Sequence, residues 1–221
     1  MRQAAAWIAL GLLAACAGGP REGRSRSDDY LRYVWFEVPG GEKVLMRWRD
    51  GKMPLRVHLP APDSKLVADP DAVLDAVRDG VTDWTDAAGP GVPSFVFVDS
   101  PGEADIPIVW EAKPSGDWYI AHCVYDVNLI QRRFGVARIL VTTRYGGRDS
   151  VPLQQLYETV LHEMGHALGL AGHSPNEADI MYYRGTWASK TDGLSEGDRA
   201  TLRALYAKPN GQRVTGAKRT D

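Results

Sequence analysis

Residues 159–174 read TVLHEMGHALGLAGHS. His162 and His166 are four positions apart, and on a helix that spacing puts both imidazoles on one face, about 5–6 Å apart at Cβ. Two nitrogens so placed reach a single zinc-sized ion at about 2.0–2.1 Å. Glu163 lies about 100° further round the helix from His162. That puts it beside the ion rather than beneath it, where a carboxylate takes a proton from water that the ion has acidified. Gly169 and Gly172 let the chain leave the helix, because glycine tolerates the left-handed conformation that ends helices. His173 then follows as a candidate third ligand. A lone helical histidine is ordinarily a surface or hydrogen-bonded core residue. Here three of the chain's five histidines fall in one stretch with glycines where a turn needs them, and the metal reading outweighs chance.

At these residues the sequence resembles the metzincin metallopeptidases, and most closely bacterial matrixin-like members. The family pattern is H-E-x-x-H-x-x-G-x-x-H followed by a methionine turn. The segment HEMGHALGL supplies His162, Glu163, His166 and Gly169 in register. His173 comes one residue late, because Leu170, Ala171 and Gly172 stand where the pattern has two residues. We expect His173 to ligate through a bulged turn in which Gly172 adopts a conformation unfavourable to other residues, with Asp179 as the fallback ligand. The tract Asp179-Ile180-Met181-Tyr182-Tyr183 resembles the methionine turn, with Met181 beneath the metal. The resemblance extends over Trp48 to Lys208 and is specific from Leu161 to Tyr183.

It implies an α/β (α+β) metzincin-like domain: a twisted, mostly parallel sheet backed by two helices, with a small C-terminal subdomain ending in a helix. It also implies a zinc-dependent endopeptidase with one catalytic Zn2+ held by His162, His166 and His173. Glu163 is then the general base, and Tyr183 either stabilises developing charge or forms a pocket wall. Tyr182, Arg184 and Trp187 are candidates for the pocket that receives the side chain after the cleaved bond. The implied partner is an extended protein or peptide substrate, laid along an antiparallel edge strand at Trp118 to Val127 by main-chain hydrogen bonds. The chain is expected to be a monomer.

The start, MRQAAAWIALGLLAAC, has one positive residue, an apolar run and small residues at its end, the pattern of a secretory signal over residues 1–15. Leu13-Ala14-Ala15-Cys16 resembles a lipoprotein cleavage box, which would leave Cys16 acylated and anchor the chain to a bacterial membrane. The alternative is ordinary cleavage after Ala17 and a secreted, soluble product. Either way the chain is exported, to the periplasm or cell surface, and residues 16–29 read as a linker. The catalytic domain is then 30–208, with a disordered tail over 209–221. A formal charge of −2 gives no reason to expect nucleic acid as a partner. Cys123 is the only other cysteine and reads as a small buried hydrophobe. No acidic loop has calcium spacing, so structural calcium is not evident.

Further along the chain, Val44–Trp48 and Leu55–Leu59 read as a hairpin about Asp50-Gly51. Asp69-Pro70 caps a helix whose Val73, Val77, Val81 and Trp84 form one apolar stripe. His58 and His122 have no ligand spacing and read as structural and surface residues. Two rivals stand beside the peptidase reading. One is a zinc hydrolase of another amide, such as a cell-wall bond, which a blocked edge strand would favour. The other is a non-catalytic, zinc-stabilised surface lipoprotein, against which Glu163 argues, since a structural site has no need of that carboxylate.

Overall fold

Long-range pairing, more than local propensity, decides where strands form in the first half of the chain. The computed structural model describes residues 8–11, 29–88, 91–111, 119–144, 150–183 and 193–220, with backbone alone for 8–11 and 86–88. Its strands are β1 (Ile8–Gly11), β2 (Phe36–Val38), β3 (Glu42–Val44), β4 (Leu55–His58), β5 (Phe95–Phe97), β6 (Ile106–Glu111), β7 (Ala121–Asn128) and β8 (Arg133–Thr142). Its helices are α1 (Pro70–Ala88), α2 (Leu153–Ala167) and α3 (Glu196–Tyr206). Strands β5, β4, β6 and β8 lie side by side in parallel, β7 runs antiparallel beyond β8, and β1 pairs antiparallel with β7. The arrangement is the mixed, twisted α/β sheet that the metzincin resemblance implies.

The helices form as their periodicity dictates. Asp69 Oδ1 accepts from Ala72 N at 3.0 Å, capping α1, and Val73, Val77, Val81 and Trp84 are all buried. Gly80 brings α1 against α2 so closely that a Cβ there would lie 2.9 Å from the Tyr157 carbonyl oxygen. Helix α2 also packs on β7 and β8. Strand β7 alternates cleanly, with Ala121, Cys123, Tyr125 and Val127 buried and the residues between them half-buried. Among the described residues no helix is long and apolar enough to cross a membrane.

Two expectations are overturned. The hairpin about Asp50-Gly51 does not form. The turn comes earlier, between β2 and β3, where Gly40 and Gly41 take positive φ (96° and 78°). Asp50–Lys52 is a 3₁₀ turn, and β4 pairs in parallel with β5 and β6 instead. The tail is not disordered between 209 and 220. Leu45 N donates to Gln212 O at 2.8 Å, Gly211 N to Leu45 O at 2.8 Å and Val214 N to Lys43 O at 2.9 Å. The C-terminal segment therefore takes the ladder positions beside Lys43–Leu45 that a hairpin partner would have filled.

Candidate metal centre

Helix α2 carries His162 and His166 at almost complete burial, 4% and 5% exposed. His162 Nδ1 donates to the Ile180 carbonyl at 2.7 Å, and His166 Nδ1 to the Leu170 carbonyl at 2.6 Å. A carbonyl only accepts, so in both rings the proton sits on Nδ1 and Nε2 presents its lone pair. His173 completes the group, with ring centroids 5.3 Å from His162 and 5.0 Å from His166. The candidate ligand nitrogens of all three lie within 4.8 Å of one another. A tetrahedral zinc with nitrogens at about 2.0–2.1 Å would hold them roughly 3.3 Å apart, a separation inside that limit. The donor set fits that ion.

Burial also sets the protonation states. It holds His162 well below the usual imidazole range and takes His166 to about 4. His173 falls to about 3, through burial first and then the nearby His166 and the charge of Arg219. All three rings are neutral at pH 7, the form that ligates metal. Burial pushes the Glu163 carboxyl up to about 8, opposed by the N–H of Cys123, which donates to Oε2 at 2.7 Å. A divalent cation beside it would favour the carboxylate instead. The Cys123 amide ties Glu163 to strand β7, so the carboxyl is held by the sheet as well as by its own helix.

Helix α2 stops where the chain must turn to bring His173 back towards His162 and His166. Gly169 N donates to His166 O at 2.8 Å and Leu170 N to Gly165 O at 3.1 Å, the two bonds of a Schellman motif, with Gly169 at φ +110°. Gly172 does not take a positive φ, contrary to expectation. Its requirement is space: a Cβ there would lie 1.9 Å from the Tyr33 carbonyl oxygen. Carbonyls along α2 and just past its end are taken up by aromatic donors. Trp84 Nε1 reaches Leu161 O at 2.8 Å, Tyr125 OH His166 O at 3.0 Å, Trp48 Nε1 Ala167 O at 2.8 Å and Tyr206 OH Leu168 O at 3.0 Å.

Met181 packs under this helix. A Cβ added at Gly165 would lie 2.3 Å from Met181 Sδ and 2.8 Å from Trp84. The turn is pinned by Asp198 of α3, which accepts from Ile180 N at 2.8 Å, Met181 N at 3.3 Å and the Tyr30 hydroxyl at 2.7 Å, and forms a capping box with Ser195. Burial, and then Asp179, raise its carboxyl above the ordinary range. Asp179 is occupied structurally, accepting from Ser174 Oγ, from Asn176 Nδ2 at 3.1 Å and from Ser195 Oγ at 2.7 Å. Asp198→Ala orphans two buried amides and removes the reciprocal half of the capping box. It should therefore cost about 3 kcal/mol or more of unfolding free energy, measured by urea titration of the metal-free protein.

Tyr182 and Tyr183 follow the turn with ring centroids 4.7 Å apart. Cys16, Arg184 and Trp187 lie outside the described residues. Cys123 is buried, as expected. His58 bonds Val98 O through Nδ1 at 3.0 Å, and His122 is half-buried on the outer face of β7. Sequence reasoning placed Asp198 three residues after the Ser195 cap but missed its hold on the methionine turn, and it missed the Cys123 amide, Tyr30 and the Tyr33 carbonyl. Of these only Asp198 carries a local signal, as the acidic third position after the Ser195 cap.

The matrixin family model matches residues 144–207. The macrophage metalloelastase of Rattus norvegicus is 30% identical over 175 residues, which are 74% of this chain and 34% of that protein. The interstitial collagenase B of Mus musculus is 38% identical over 63 residues, 28% of this chain and 13% of that protein. The chain thus spans about a third or less of the length of these relatives. Helix α2, the three histidines and the methionine turn all lie inside the matched segment, and over that segment the chain is similar to the matrixins.

Proposed function

We propose that this chain is a zinc-dependent metalloendopeptidase that hydrolyses peptide bonds in extended polypeptides. The observation that carries the reading is the joint placement of three neutral imidazoles and Glu163, the latter hydrogen-bonded to strand β7. Zinc, when bound, supplies a Lewis acid that polarises the scissile carbonyl and acidifies water. His162, His166 and His173 hold it without cancelling its charge. Glu163 takes the water's proton and returns it to the leaving amine. Tyr183, two residues beyond Met181, is assigned to stabilising charge on the carbonyl oxygen.

The outer edge of β7 is covered by the chain's own Ile8–Gly11, antiparallel and opposite Val124–Val127. That stretch lies within the export signal over 1–15, and its removal would open the edge to an extended substrate by main-chain pairing. Incubating the purified protein with a diverse peptide library, with and without a chelator, tests the function. The expected result is cleavage within extended peptides that stops on chelation and returns with zinc; the absence of chelator-sensitive cleavage defeats the reading.

The export signal over 1–15 and an acylated Cys16 remain part of the proposal, placing the catalytic domain on a membrane facing the periplasm or cell exterior. Cys16→Ser should move the protein from the membrane fraction to the soluble one. A mature chain that begins at Gly18 by mass spectrometry rules the anchor out.

A further inference from the structure

The one-residue excess before His173 makes the third-ligand loop wider than the family pattern, and a wider loop needs more to hold it. On one side the loop lies against the N-terminal segment, where Gly172 meets the Tyr33 carbonyl. On the other it meets the end of the chain, where Thr220 Oγ1 donates to the His173 carbonyl at 3.2 Å. That end is itself fastened to the same N-terminal segment. Lys218 N donates to Arg32 O at 2.8 Å, Trp35 Nε1 donates to Lys218 O at 2.8 Å, and the Arg219 guanidinium lies 3.9 Å over the Trp35 ring. Upstream, Asn210 accepts from Arg47 N at 2.9 Å and Arg132 Nη1 donates to Gly211 O at 2.8 Å, so the tail is held along its length.

We propose that the C-terminal tail is a positioning element of the metal centre, in which Lys218–Thr220 clamp the loop carrying His173 against Leu31–Trp35 and so fix the third ligand. The inference rests on the zinc reading above. The tail touches neither substrate nor reacting atoms; it acts through His173. The contact of Thr220 with the His173 carbonyl places this end of the chain beside the ligand rather than on a remote face.

Zinc affinity of the full-length chain, read by competition with a chromogenic chelator, tests this. The visible spectrum of the cobalt-substituted protein reports the ligand geometry. Thr220→Val should weaken zinc binding about 2- to 10-fold, the worth of one hydrogen bond, and Thr220→Ser should keep it. Truncation after Gly216 should weaken it about 10-fold or more, as losing a ligand's supporting partners does, and should alter the cobalt spectrum. The cations lost with the tail act in the opposite sense, since removing positive charge near a divalent ion favours its binding. A fall in affinity therefore reports lost contacts.

A tail that only stabilises the fold would lower the Tm of the metal-free truncated chain and leave zinc affinity and the cobalt spectrum unchanged, and that result overturns the proposal. If the truncated chain does not fold, the Thr220→Val and Thr220→Ser pair decides alone. His173→Ala in the same assay separates the two claims. Zinc loss there without any tail effect sinks the clamp only, whereas no zinc loss there sinks the assignment of the ligand itself.

Discussion

Glu163→Gln is expected to retain zinc at full stoichiometry and lose about 10²- to 10⁴-fold in kcat/KM, the range that a positioned general base supplies. The amide is nearly isosteric with the carboxyl. It can still meet the Cys123 amide, which lies 2.7 Å from Oε2 in the native chain, through its own carbonyl oxygen. What it lacks is basicity, so water is no longer deprotonated beside the three imidazoles. Metal analysis alongside a peptide-cleavage assay checks both halves of the expectation. Retention of native activity would remove Glu163 from the chemistry, and loss of zinc would mean that the carboxyl helps to hold the site together.

The second large effect is expected at the third ligand. Apparent zinc binding energies of about 10–16 kcal/mol are spread over four ligands in structural sites, so one imidazole is worth roughly 3 kcal/mol. His173→Ala should therefore weaken zinc affinity about 10²-fold while leaving the metal-free fold close to native, because this ring is the least buried of the three. Gly172→Ala should reach the same ligand by another route. Its Cβ would fall 1.9 Å from the Tyr33 carbonyl oxygen, a backbone atom that cannot swing aside. The loop or the N-terminal segment must shift, at a cost of about 3 kcal/mol, the upper end for overpacking. A crystal structure of Gly172→Ala should show His173 displaced. An undisturbed loop with native zinc affinity would show that the close approach is not needed to seat the ligand. Asp179→Asn, by contrast, should lower stability with little change in zinc affinity, since its carboxylate is engaged by Ser174, Asn176 and Ser195.

The amino-acid sequence by itself determined helix α2, its candidate metal-binding histidines and the class of fold. These depend on local periodicity: His162 and His166 share a face because they are one turn apart, and Gly169 ends the helix because it tolerates φ +110°. The apolar stripe of α1 is legible for the same reason. Tertiary structure alone decided how the site is held. The Cys123 amide that aims Glu163 is 40 residues away in sequence, and the Asp198 carboxylate that pins the methionine turn is 18 residues from Ile180. Backbone donors and acceptors carry no residue signature, so the Tyr33 carbonyl against Gly172 could not be read from composition. The same blindness produced the two errors in the fold. Asp50-Gly51 has the chemistry of a hairpin turn, but the ladder beside Lys43–Leu45 is filled by Gly211–Val214, a segment so polar that its own residues predict no structure. Its order comes from main-chain hydrogen bonds to a distant strand, an interaction that side-chain patterning does not record.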